Sequence, residues 1–298
     1  MRILRNTKTE YIRTGYGEDD ITEQQFVESE TRYSEAGNVL EERRFTADAV
    51  LDSLVINEYD DQNRVVVSSQ FDENEELTQK NTFEYLPDGK VLKKASFYGE
   101  GSPEFSTHYV YENGSLVRED SYTDDDFDST EKTYEYDEAG RLTCQTDFDE
   151  DGKTLYRLRQ MFNENGLLQE RIVDELQAND RRHYVYEYDE KGQRIKELVY
   201  NFNEKLIAKI YYVYDEAGHV TQSEEENLDR YVRLVYTFDG DFCTKIEQFD
   251  KADALVSWTE YVRSDDGKML TSKTFIKDEV NPEHLRLSYV VLSETIYE

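Results

Sequence analysis

Positive charge is scarce in this chain. Its 298 residues hold 35 Lys and Arg against 67 Asp and Glu, a formal net charge of -32. A nucleic-acid backbone is held by clustered cations, so that class of partner is excluded. Cysteine is scarce too: Cys144 and Cys243 alone make no disulfide framework. No stretch approaches ~20 apolar residues, so no membrane-spanning helix is expected. The hydrophobic share is 37%, thin for a compact domain of this length, which points to an extended fold. Disorder is excluded from the other side. Acidic disordered chains are poor in aromatics, and this one has 24 Tyr and 14 Phe.

What is present is a repeat. Turn-forming residues recur at Gly37, Asn63, Gly89, Gly114, Gly140, Gly166, Gly192, Gly218, Asp241 and Gly267, mostly 26 residues apart. Aromatics keep step with them. Tyr59, Tyr85, Tyr111, Tyr136, Tyr188 and Tyr214 lie three or four residues before an anchor, and Tyr109, Tyr134, Tyr186 and Tyr212 two residues earlier. Phe45, Phe71, Phe97, Tyr122, Phe148, Tyr200, Phe249 and Phe275 lie eight after.

Side chains alternate faces along a strand, so even offsets read as one face. Gly, Asn and Asp tolerate the positive φ of tight hairpin turns. The prolines, Pro87, Pro103 and Pro282, all sit in turn contexts. Each unit therefore predicts two strands of about nine residues. The expected fold is all-β: about 20 antiparallel strands in ten ~26-residue repeats, an unrolled sheet on the order of 100 Å wide. A sheet that broad is expected to curve or wind into a partial shell, aromatic face inward. Residues 1–28 are expected to cap its start, 29–276 to form the repeats and 277–298 to add capping strands.

Three charged residues interrupt the aromatic columns: Asp174, Glu226 and Arg263. They mark places where the sheet frays or the face opens to water, and are the candidate binding residues. Asp147, Asp149 and Asp151, followed by Gly152, match the first half of a calcium loop, although the position of its bidentate Glu holds Leu158. The acidic run at 124–128 is a weaker cation candidate. The four histidines lack zinc spacing. No nucleophile motif or phosphate-binding glycine loop occurs, so no enzyme and no cofactor other than calcium is expected.

The segment Lys132-Thr-Tyr-Glu-Tyr-Asp-Glu-Ala-Gly140, with its counterparts Tyr186-Glu-Tyr-Asp-Glu-Lys-Gly192 and Tyr212-Val-Tyr-Asp-Glu-Ala-Gly218, resembles the YD repeat of bacterial Rhs proteins and teneurins. The resemblance covers about residues 29–276. It implies a long β-sheet wound as a shell and a setting among bacterial toxin, immunity or secretion systems. Its period near 26 is longer than in that family, and the chain ends in what reads as a strand pair, not a toxin.

The functional expectation is a non-catalytic repeat protein that binds another protein, a basic one by charge complementarity. The alternatives are a cell-surface glycan-binding module, using exposed aromatics, and a structural shell around a cargo. The N-terminus has no signal-peptide shape, so the expected location is the cytoplasm, or outside the cell if a leader has been removed.

Overall fold

The computed structural model describes all residues except 1, 18–19, 100, 124–128, 279, 282 and 298. The described residues contain 22 strands and no helix. In chain order they are β1 (Arg2–Arg13), β2 (Ile21–Tyr33), β3 (Val39–Phe45), β4 (Leu51–Tyr59), β5 (Val65–Phe71), β6 (Leu77–Tyr85), β7 (Val91–Phe97) and β8 (Phe105–Glu112). Next come β9 (Ser115–Thr123), β10 (Ser129–Tyr136), β11 (Leu142–Phe148), β12 (Thr154–Phe162), β13 (Leu168–Glu175), β14 (Asp180–Tyr188) and β15 (Arg194–Asn201). The last are β16 (Leu206–Tyr214), β17 (Val220–Asn227), β18 (Tyr231–Asp239), β19 (Phe242–Phe249), β20 (Leu255–Arg263), β21 (Met269–Lys277) and β22 (Leu285–Tyr297).

All belong to one antiparallel sheet. Two compact units divide it: residues 1–80 with 232–298, and residues 81–231. In the second unit each strand from β7 to β16 pairs with the next in sequence. The first unit holds the decisive pairing. β1 pairs with β2 on one side and with β22 on the other, in unbroken register from Arg2↔Tyr297 to Glu10↔Tyr289. The two ends of the chain therefore close on each other within the first unit, in place of the free edges of the open or spirally wound partial shell that the repeat predicts. The physical reason is the edge: a terminal strand with unpaired N–H and C=O groups is satisfied most completely by the other terminal strand. The residues expected to cap the two ends supply that closure. Near it, Arg13 pairs with Asp278 and Arg286 Nη1 donates to the Tyr11 carbonyl at 2.9 Å.

The all-β expectation and the turns agree with the structure. Positive φ occurs at Gly37, Asn63, Gly89, Gly140, Gly166, Gly192, Gly218 and Gly267. At the anchor Asp241 the positive φ belongs instead to Gly240. There Asp239 faces Phe242 across a two-residue loop, which shortens that repeat. Pro282 lies outside the described residues.

The aromatic columns do not share a face. Directly opposed residues of an antiparallel pair lie on the same side. Tyr134 opposes Gln145, whereas Phe148 opposes Glu131. Tyr186 opposes Glu197, whereas Tyr200 opposes His183. Tyr261 opposes Ser272, whereas Phe275 opposes Trp258. The Tyr-x-Tyr column thus occupies one face and the aromatics eight residues past the anchor occupy the other. Both faces bury apolar surface only in part. Ile3, Leu54, Leu158, Val173, Tyr186, Val199 and Val232 are buried, and none of the described large side chains is completely so.

Candidate functional site

The turns carry most of the organised chemistry. In Asp137-Glu138-Ala139-Gly140-Arg141, Asp137 N donates to the Arg141 carbonyl at 3.0 Å and Gly140 N to the Asp137 carbonyl at 2.9 Å. The Asp137 side chain completes the turn. Its Oδ1 accepts from Ala139 N at 3.0 Å and Arg141 N at 2.9 Å, and its Oδ2 from Arg141 Nε at 2.7 Å. The same pattern recurs at Asp60, Asp72, Asp189 and Asp250, and with an amide oxygen at Asn163 and Asn201. The Arg141 hydrogen bond, then the backbone donors, hold the Asp137 carboxyl below its ordinary pKa.

This turn lies at both ends of the strands. Asp137, Asp149 and Asn163, like Asp189, Asn201 and Asp215, are spaced 12 and then 14 residues. The 26-residue unit is therefore a pair of half-repeats. The signal was present as Phe-Asp-Glu-Asp-Gly at Phe148 and Phe-Asp-Glu-Asn-Glu at Phe71, but a non-Gly residue at the positive-φ position, such as Glu75 or Asp253, disguised it.

The second turn residue differs from the first in availability. Glu138, Glu164, Glu190 and Glu216 follow the capping residue on four successive turns at one end of the second unit, and all are exposed. None has an ion pair among the described residues. Successive turns are two strands apart, so neighbouring carboxylates repeat every ~10 Å. Beside Glu190 an open concavity of about 740 Å³ is bounded by Asn163, Leu167, Tyr186 and Asp189.

Two of the three calcium candidates have side-chain partners within the chain. Asp149 is a turn cap, its Oδ1 accepting from Asp151 N at 3.1 Å and Lys153 N at 2.8 Å. Asp147 accepts from Gln145 Nε2 at 2.8 Å and lies 3.5 Å from Lys132 Nζ, while Asp151 is exposed. Among the described residues no three His, Cys, Asp or Glu side chains gather to hold a metal. The run at 124–128 lies outside the described residues.

The three charged interruptions do not form one site. Asp174, on β13, accepts from Arg159 Nη2 at 2.8 Å and lies 3.3 Å from Arg181 Nε. Glu226, on β17, lies 3.3 Å from Lys209 Nζ. Arg263, on β20, places its guanidinium 4.5 Å from the Phe242 ring centroid. Asp174 and Glu226 thus stand in local ion pairs, and Arg263 places its cation against a ring. Asp174 and Glu226 are separated by about 19 Å of sheet, and Arg263 belongs to the other unit. Cys144 and Cys243 are free thiols.

A sequence-family model described as "Uncharacterised protein" matches residues 13–104, under a third of the chain. No curated protein matches in sequence. Solved structures similar to the chain include the TcdB2-TccC3-Cdc42 complex, at 13% identity and a TM-score of 0.38 over 88% of this chain. The Photorhabdus luminescens Tc holotoxin pore matches at 11% identity and 0.31 over 89%. The chain spans 19% of each of those toxin chains. A porin-like protein from Bacteroides uniformis matches at 10% identity and 0.37, with 99% of this chain and 96% of that chain covered. At such scores the chain paths do not superpose as wholes. Among the described residues no helix is long and apolar enough to cross a membrane.

Proposed function

We propose that this chain is a non-catalytic docking module that holds a basic protein, in a bacterial toxin, immunity or secretion setting. The setting rests on the resemblance of the Tyr-x-Tyr-Asp motifs to YD repeats. The reading of the surface rests on one observation: the row Glu138, Glu164, Glu190 and Glu216, carried on turns whose first residue is spent on the backbone. Rigid turns hold the four carboxylates at ~10 Å intervals, about one Debye length at physiological salt, so their fields merge along the rim. Such a field speeds encounter with a cationic surface and disfavours acidic ones.

The chain, immobilised and exposed to a lysate of its own host, retains a basic protein whose binding weakens steeply between about 50 and 200 mM salt. The variant with Glu138, Glu164, Glu190 and Glu216 all changed to Gln loses that retention. A control with four exposed acids elsewhere changed to Gln keeps most of it. Salt-indifferent capture, or equal losses in both variants, refutes the reading.

A further inference from the structure

On the second unit, the face opposite the Tyr-x-Tyr column carries an apolar patch beside this rim. Met161 on β12 and Tyr211 and Val213 on β16 are 44%, 39% and 51% exposed. Cross-strand pairing joins them through Val185 and Leu198. Met161 opposes Glu170, Glu170 opposes Val185, and Val185 opposes Leu198, while Tyr211 opposes Lys196 on the same face. Two of the acids among them have side-chain partners. Glu187 holds Lys196 at 2.8 Å and Glu170 holds His183 at 2.9 Å. Beyond the patch the balance is acidic. Glu224, directly opposite Tyr211, has no cationic partner among the described residues. Met161, Glu187 and Val213 each stand three residues before a free turn carboxylate, namely Glu164, Glu190 and Glu216.

We infer that this patch is a docking surface for a basic amphipathic helix of the partner, laid across β12 to β16. Two physical constraints select a helix. These strands are hydrogen-bonded to a neighbour on both sides, so no free edge is offered for strand addition. Contact must then be made by side chains on a face. From β12 to β16 is about 19 Å, and a helix of about 13 residues covers that length at 1.5 Å per residue. Its apolar stripe at i, i+3, i+4 and i+7 meets Met161, Val185, Leu198, Tyr211 and Val213. Lys or Arg on the flank nearer the turns reaches Glu164, Glu190 and Glu216, a charge match that fixes which way the stripe lies.

The inference deepens the proposed function and rests on it for the basic character of the partner. The probe is an 18-residue amidated peptide of Leu and Lys with Leu at helical spacing, titrated into the full chain. It gains helical circular dichroism on binding. Met161→Lys with Val213→Lys, both at exposed positions, weakens binding at least tenfold while the strand spectrum of the protein is unchanged. A scrambled peptide of equal charge but no apolar stripe binds at least tenfold more weakly. Equal binding of either peptide to wild type and to the double variant overturns the inference. So does self-association of the wild type that the double variant abolishes, since the patch then belongs to a second copy. If the double variant still retains the basic host protein while the row variant does not, the rim reading stands and the helix site falls. If the row variant retains it and the double variant does not, the rim reading falls and the apolar patch stands.

Discussion

The hydroxyl of Tyr136 donates a 2.8 Å hydrogen bond to the carbonyl of Leu116, twenty residues earlier. The same step links Tyr59 to Val39, Tyr111 to Val91, Tyr188 to Leu168 and Tyr214 to Arg194. Each accepting carbonyl lies two residues past a turn anchor, beyond the last ladder pairing with the tyrosine's strand. The hydroxyl supplies the partner that the ladder does not. Burial pushes the Tyr59, Tyr136 and Tyr188 hydroxyls above their ordinary pKa.

Tyr136→Phe leaves the Leu116 carbonyl without that donor and is expected to cost about 1 kcal/mol, the net value of such a bond. The column already contains Phe162 and Phe238, and the carbonyl matching Phe162 is that of Leu142. Phe162→Tyr is expected to stabilise by up to about 1 kcal/mol on the same ground. Urea unfolding of both variants decides. Unchanged midpoints in both would show that water serves these carbonyls equally well.

The turn cap gives a second prediction. Asn163 and Asn201 cap their turns with an amide oxygen where Asp137 uses a carboxylate. Asp137→Asn keeps the Oδ1 acceptor and loses the Oδ2 hydrogen bond and charge pairing with Arg141. Asp137→Ala loses the acceptor and frees two backbone donors. The thermal midpoint is expected to fall clearly for Ala and little for Asn. Equal falls would assign the effect to the Arg141 pair and not to the turn.

The turns were legible in the sequence because positive φ restricts residue choice: Gly140 and Gly192 are placed where hairpins need them. The faces were not. From Tyr136 to Phe148 the offset is even, but parity holds only within a strand. The register shifts at Glu135/Tyr136, where Leu142 rather than Thr143 opposes Tyr136, and Phe148 emerges on the far side. Closure was equally hidden. The pairing of Arg2 with Tyr297 joins the chain's two ends through ordinary strand residues, and no local motif announces it. The free row of Glu138, Glu164, Glu190 and Glu216 could be read only once Asp137 and its counterparts were seen to be engaged.

Acid stability follows from the turns. Asp60, Asp72, Asp137, Asp215 and Asp250 all have folded pKa values below their ordinary ones, chiefly through side-chain or backbone hydrogen bonds to the carboxylate. A depressed folded pKa contributes stability that is present above the unfolded value, about 3.9, and lost as pH falls through the folded values. Opposing this, protonating other acids relieves the self-repulsion of a chain at -32. The thermal midpoint is expected to rise on acidification from neutral pH and to fall below about pH 4. A monotonic rise down to pH 3 would contradict the role given to the turn aspartates.

Alkaline behaviour has the reverse sign. Burial, then the nearby Glu197 carboxylate, pushes Tyr186 up to about 12. Burial also raises Tyr109, Tyr134 and Tyr212. A raised folded pKa contributes stability that is complete below the unfolded value, about 10, and is lost as pH rises through the folded one. Unfolding is expected to accompany tyrosinate formation, with absorbance near 295 nm rising cooperatively with loss of strand signal. Independent titration near pH 10 without unfolding would mean that the tyrosine face is wet.

The single tryptophan reports on the first unit. Trp258 on β20 stacks on Phe275 of β21, with centroids 3.9 Å apart and planes at 10°, and Lys245 Nζ lies 4.9 Å from the indole centroid. The pair opposes directly across the ladder, on the face away from Tyr261. Phe275→Ala removes one half of the stack and opens Trp258 to water. Because the ring is only partly buried, the cost is expected at about 2 kcal/mol, below the range for a full core truncation, with a red shift in emission. Phe275→Leu restores apolar cover without the ring and should recover most of the emission but not all the stability, since aromatic pairs add about 0.5–1.5 kcal/mol beyond burial. Unshifted emission in Phe275→Ala would mean that the indole is shielded by its other neighbours, and the stack would then contribute little to holding β20 against β21.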